Sequence, residues 1–167
     1  SAYKITSFAE ETFKGKKEIE TVVLPMYITE IPDNAFEGCT NLKTVIAYGV
    51  TKIGKEAFKG CTSLTSFAID NKVTELGKKA FEGVGEVKVM AANADVADAA
   101  IESGAKKISV NISGMKDAEK KNEEGEVVYR NTYSTDKKIS VADSVEEFTL
   151  ISDGTTYENF QIESNAT

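Results

Sequence analysis

Apolar residues return along the first half of the chain at a fixed interval. Phe13, Phe36, Phe58 and Phe81 stand 23, 22 and 23 residues apart, and each is followed by Lys or Glu and then Gly. A period in this range marks a stack of repeated units. Aligned on the phenylalanines, the second unit runs Ile28-x-x-Ile31, Ala35-Phe36, Cys39-x-x-Leu42, Val45, Ala47. The third runs Val50-x-x-Ile53, Ala57-Phe58, Cys61-x-x-Leu64, Phe67, Ile69, and the fourth Val73-x-x-Leu76, Ala80-Phe81, Val84-x-x-Val87, then Met90 and Ala92. The first is a worn copy, Ile5-x-x-Phe8, Phe13, Lys16-x-x-Ile19, Val22, Leu24. Lys16 stands there where later units carry Cys, as suits a terminal unit with one face in solvent.

Spacing within a unit changes character. Leu42-x-x-Val45-x-Ala47 ends in alternation, the mark of a strand with one buried face. Asp33 and Gly38 bracket residues 34–37, which predicts a short helical turn capped by Asp33 and closed by a left-handed glycine. The expected fold is therefore an α/β repeat solenoid, with a strand and a short helical turn in each unit of about 22–23 residues. No single unit can hide its apolar face, so stacking is obligatory.

The pattern fades after residue 92. Asp95–Ser103 reads as a helix, with Asp95 as its cap and Gly104 as its stop. Strand-like runs follow at Ile108–Ile112, Glu126–Tyr129, Ile139–Ala142, Phe148–Ile151 and Phe160–Ile162, with a solvated loop at Asp117–Gly125. Val87 to Ile108 and Ile139 to Phe160 both span 21 residues. Those intervals divide the chain into repeats over 1–92 and an irregular β-rich region over 93–167 that continues or caps the solenoid. A separate small β domain is the competing reading.

The segment Ile28-Thr29-Glu30-Ile31-Pro32-Asp33-Asn34-Ala35-Phe36-Glu37-Gly38-Cys39-Thr40-Asn41-Leu42-Lys43-Thr44-Val45 resembles the BspA-like leucine-rich repeats of bacterial surface proteins. The resemblance covers about residues 3–92. It implies a leucine-rich-repeat stack, secretion or display at a bacterial cell surface, and a role in adhesion to a host or bacterial protein or glycan. It implies no catalytic residues. The chain opens partway through a repeat, so a mature or excised fragment lacking its signal peptide is expected.

Composition narrows the chemistry. The 27 acidic residues outnumber the 20 basic ones, and the formal charge of -7 argues against nucleic acid, which needs a basic footprint. No apolar run approaches the length of a membrane helix, so no membrane insertion is expected. The chain has no histidine, which excludes Ser-His-Asp and Cys-His nucleophilic machinery and the common His-containing metal sites. No phosphate-binding or calcium loop occurs, and no catalytic residue, cofactor or metal is assigned. Cys39 and Cys61 share one repeat position with Val84, so they read as buried free thiols in an apolar slot.

The candidate binding surface is the outward face of the strands. Stacking would align Thr21, Thr44 and Ser66 in one row and Val23, Ile46 and Ala68 in the next, with Tyr48 and Asp70 extending it. Such a face suits a protein or glycan partner, presented by a monomer; ordinary β-formers on an exposed sheet would look the same. A structural spacer for a larger surface protein is the alternative function. A carbohydrate-active enzyme using two of the many carboxylates is a third.

Overall fold

The structure is a computed structural model describing residues 2–8, 13–113, 115, 120–121, 123–129, 133–134, 139–151, 157–158 and 162–164. Its first strands are β1 (Ala2–Lys4), β2 (Thr21–Val23), β3 (Glu30–Ile31), β4 (Thr44–Ile46), β5 (Lys52–Ile53), β6 (Phe67–Ile69), β7 (Glu75–Leu76) and β8 (Glu86–Met90). Helix α1 (Ala94–Ile101) and β9 (Lys107–Asn111) follow. Then come β10 (Lys120–Lys121), β11 (Val127–Tyr129), β12 (Tyr133–Ser134), β13 (Ile139–Val141), β14 (Glu147–Ile151), β15 (Tyr157–Glu158) and β16 (Ile162–Ser164). Equivalent strands of neighbouring coils pair in parallel, β3-β5-β7 in one row and β1-β2-β4 and β6-β8-β9-β14 in another. The repeat solenoid expected from the period is the observed architecture.

The expected helical turn takes a different form. The N–H groups of Ala35, Glu37 and Cys39 donate to the carbonyls of Pro32, Asn34 and Phe36, three residues back. Those of Asn34, Phe36 and Gly38 donate instead to Lys55, Ala57 and Lys59 of the next coil, at 2.9, 2.8 and 2.7 Å. Glu56, Phe58 and Gly60 donate in the same way to Lys78, Ala80 and Glu82. An α-helix needs each of these donors for itself, so alternate bonding to the neighbour rules it out. Asn34, Glu56 and Lys79 sit at φ 59, 54 and 53°, where few residues other than glycine are found. Asp33 does not cap its own turn. Its carboxylate accepts the Lys55 N–H of the next coil at 2.8 Å. Gly38 is left-handed as expected, at φ 76°, and Gly15, Gly38, Gly60 and Gly83 form a donor ladder from coil to coil.

The core lies between these turns and the strands. Phe36, Phe58 and Phe81 are wholly buried and stack with centroids 5.4 and 5.7 Å apart, and Phe13 continues the stack at 5.7 Å. Phe8 packs edge-on against Phe13 and Phe36. Cys39 and Cys61 are free and buried, and each Sγ–H donates to a phenylalanine carbonyl of the preceding coil, Phe13 at 3.0 Å and Phe36 at 3.1 Å.

Beyond the third unit the register departs from expectation. Val87 pairs with Phe67, and Val87, Val89 and Ala91 are buried while Met90 is half exposed. From Phe58 to Phe67 is nine residues, but from Phe81 to Val87 is six. Three residues are missing before the strand, so the inward positions are Val89 and Ala91 rather than Met90 and Ala92. Helix α1 is capped by Asn93, whose side chain accepts from Val96 N–H, and Asp95 lies in its first turn. Asn93 adopts the extended backbone of a cap. The expected loop at Asp117–Gly125 contains β10, which pairs antiparallel with β11. Residues 117–119, 122 and 160–161 lie outside the described residues. Parallel pairing carries the row Phe67, Val87, Ile108 and Phe148 from β6 to β14.

Replacing Phe58 by Ala removes a ring held between Phe36 and Phe81. The expected loss is about 3–5 kcal/mol in denaturant unfolding; a loss below about 1 kcal/mol would contradict the packing. Burial pushes the Cys61 thiol from 9.0 up to about 12. The fold favours the neutral thiol, so its contribution to stability is full below about pH 9 and is lost as pH rises towards about 12. At pH 8 both cysteines should resist a thiol reagent in the native protein and react fully once it is unfolded.

Candidate functional site

The row of strands is interrupted between the second and third coils. β4 ends one sheet and β6 begins another, whereas β3, β5 and β7 pair without a break on the other side of the same coils. Phe67 lies at the break. It stands where neighbouring coils carry Val22, Val45 or Val87. Its ring packs 5.1 Å from Phe58 and 5.2 Å from Phe81, leaning towards the fourth coil, where β6 finds its partner.

Hydrogen-bond direction shows what the break exposes. Thr44 N–H donates to Glu20 and Leu24 N–H donates to Ile46, so the even residues of β4 face β2. Backbone groups alternate sides along a strand, so those of Val45 and Ala47 face the break. On the far side, Lys107 N–H donates to Gly85 and Ala91 N–H donates to Asn111. Within β8 the odd residues therefore bond to β9, the even ones bond to β6, and Phe67 and Ile69 answer them. Ser66 and Ala68 are left facing β4.

A cavity of about 600 Å³ occupies this break, within the usual range of ligand pockets. Its depth is apolar, with Ile31, Val45, Val50, Ile53, Phe67 and Val73. Its mouth carries Tyr48, Ser66, Ala68, Asp70, Lys88, Met90, Ser109, Asn111 and Ile151. Tyr48 is 71 % exposed, Met90 50 % and Ile151 42 %.

The structure thus divides the predicted surface. Thr21 pairs with Thr44 and Val23 with Ile46 on the first sheet. Ser66, Ala68 and Asp70 lie across the break and do not extend those rows, while Tyr48, Ser66, Ala68 and Asp70 all line the cavity. Lys88, Met90, Ser109, Asn111 and Ile151 escaped the sequence reading. The alternation of Val87, Val89 and Val110 implies their outward direction, but the repeat spacing points Met90 inward because three residues are missing before the strand. Tyr27 belongs with Met26 to the turn stacked on that of Tyr48. A side chain on Gly49 would collide with the Met26 carbonyl.

Charges at the mouth are unevenly matched. Lys88 lies 3.9 Å from Glu86, and Lys107 lies 4.0 Å from Glu147. The Asp70 carboxylate accepts the Lys72 N–H at 2.9 Å, and Asn111 accepts Ser113 N–H at 2.9 Å. On the phenylalanine turns a separate polar ladder joins coils: Lys14 to Glu37 at 3.1 Å, Asn34 to Glu37 and Glu56, and Lys59 to Glu56 and Glu82. Burial pushes the Glu37 carboxyl up, but the Lys14 and Asn34 hydrogen bonds outweigh it and hold it below its ordinary value. Among the described residues no group of three or more Cys, Asp or Glu is gathered that could hold a metal ion. None of their helices is long and apolar enough to cross a membrane.

Residues 3–113 match the sequence model of the BspA type leucine rich repeat region, in six copies. No match is found among curated proteins. Among solved structures, a leucine rich repeat protein of T. pallidum is similar at 16 % identity and a TM-score of 0.44, covering 93 % of this chain and 65 % of that one. A leucine rich cell surface protein from Faecalibacterium prausnitzii A2-165 is similar at 21 % identity and a TM-score of 0.46, covering 93 % of this chain and 44 % of that one. The chain therefore spans less than two thirds of either protein's length.

Ala68 points outward from β6 between buried Phe67 and Ile69. Ala68→Lys should change unfolding stability by less than about 0.5 kcal/mol, as expected for an exposed position. A large loss would place Ala68 in the core and the break elsewhere.

Proposed function

Since the chain belongs to the BspA-type leucine-rich repeat family, we propose that it is a non-enzymatic binding module, offering the cavity between β4 and β6 and the adjoining strand faces to a protein or glycan partner. The observation that carries this reading is where exposed apolar groups gather. Among the described residues the exposed large apolar side chains are Tyr3, Met26, Tyr27, Tyr48, Met90 and Ile151. Tyr48, Met90 and Ile151 line the cavity, and Met26 and Tyr27 lie in the turn whose backbone packs against the turn of Tyr48 and Gly49. Contiguous exposed apolar surface rimmed by polar groups is the usual sign of an interaction site. The surrounding hydroxyls, amide and charges supply orientation. Adhesion from a secreted or cell-surface position, with the chain acting as a monomer, belongs to the same proposal.

The test is binding of the purified chain to an array of mucins, matrix proteins and bacterial and host glycans. Two variants accompany it: a surface variant altered at Thr44, Ile46, Ser66 and Ala68, and Tyr48→Ala/Ala68→Lys at the cavity. The expected result is a partner retained by the folded native chain and lost from the cavity variant with unfolding stability unchanged. Loss from the surface variant too would extend the site onto the first sheet. No partner for a demonstrably folded chain would overturn the binding reading in favour of a spacer. Turnover of a glycoside panel, abolished by removal of one carboxylate, would overturn it in favour of an enzyme.

A further inference from the structure

We infer that the break between β4 and β6 receives an extended peptide segment of a protein partner as an added parallel strand, with a cationic residue at its C-terminal end held by Asp70 beside Tyr48. The inference rests on the reading of the cavity as a binding site and names the occupant. Val45 and Ala47 on one side, and Ser66 and Ala68 on the other, turn backbone groups towards the break, and all four residues line the cavity. Unpaired strand edges are templates for another strand. Partners that bind this way draw affinity from main-chain hydrogen bonds and specificity from pockets for alternate side chains. The apolar depth formed by Val45, Val50, Ile53 and Phe67 is such a pocket.

Other occupants satisfy only half of the site. A sugar would use the polar mouth and leave the apolar depth unfilled. An acyl chain would fill the depth and leave the backbone groups unpaired, at the cost that buried donors and acceptors carry. A peptide backbone with apolar side chains meets both demands.

Charge selects the residue at its C-terminal end. The strands flanking the break end at Ile46 and Ile69 and run out towards Tyr48 and Asp70, so a parallel guest has its C-terminal end there. Lys88 has Glu86 beside it, whereas among the described residues no cation is paired with Asp70. A guest Lys or Arg would meet the Asp70 carboxylate and the face of the exposed Tyr48 ring.

The probe is a fluorescent synthetic peptide with the sequence of residues 19–24 followed by one lysine, because that segment already forms the strand paired with the other edge of β4. Fluorescence anisotropy with the full chain should show saturable binding. Methylating alternate backbone nitrogens of the peptide should weaken it at least about tenfold, since each blocked amide loses a strand hydrogen bond. Ending the peptide in glutamate, or substituting Asp70→Asn in the protein, should weaken it several-fold. Asp70 is exposed, so that variant keeps its fold. Equal binding of the methylated peptide would overturn strand addition, as would no binding to the folded chain. If array partners persist while no peptide binds, the strand guest is refuted and the binding module stands. If neither binds, both readings fall.

Discussion

Alternate backbone N–H groups of the Phe36 and Phe58 turns donate to carbonyls of the next coil, and the rest of the fold follows from that bonding. Asn34, Phe36 and Gly38 reach Lys55, Ala57 and Lys59, and Glu56, Phe58 and Gly60 repeat the step. The bonds hold the rings of Phe36, Phe58 and Phe81 nearly parallel, at the spacing of stacked coils. They deny the turn the donors a helix needs and hold Glu56 in a left-handed conformation that it would not favour alone. A single coil has nowhere to send these donors, so stability belongs to neighbouring pairs rather than to units.

The ladder also explains how the stack can open without coming apart. The second and third coils are joined at their phenylalanine turns and through β3 and β5, so the strand side can part at β4 and β6 while two other rows hold. Phe67 marks where this happens: its ring packs between Phe58 and Phe81, and β6 pairs with β8. The opening gathers Tyr48 from the second coil, Ser66, Ala68 and Asp70 from the third, and Met90 and Asn111 from the fourth and fifth. A uniform solenoid would offer a shallow face. This one offers a face with a slot in it.

Much of this was written in local chemistry. The 22–23-residue spacing of the phenylalanines, the glycine two residues after each, and the shared slot of Cys39, Cys61 and Val84 all appear in the structure as stacked, left-handed and buried positions. Where the reading failed, the competing influence lay outside the local window. Asp33 looked like a cap because its neighbours look helical, but its hydrogen-bond partner is Lys55, twenty-two residues on. Met90 falls at an inward position of the full-length unit, but the fourth unit is three residues shorter before its strand. Asn93, rather than Asp95, caps α1 because only it adopts the extended backbone that turns its side chain to Val96 N–H.

The sequence by itself determined the repeat, the residues that fill the core of the first three units and the stacked architecture, because burial of a periodic apolar face has one economical solution. Membership of the candidate site was decided by tertiary structure alone. Whether Thr44 and Ser66 share a row depends on whether β4 and β6 pair, and that depends on the direction in which the Phe67 ring packs among rings from other coils. Each strand carries acceptable β-forming residues, so local preference is silent on the matter. Hydrogen-bond partners are chosen between coils, and only the assembled stack shows which edges were left without one.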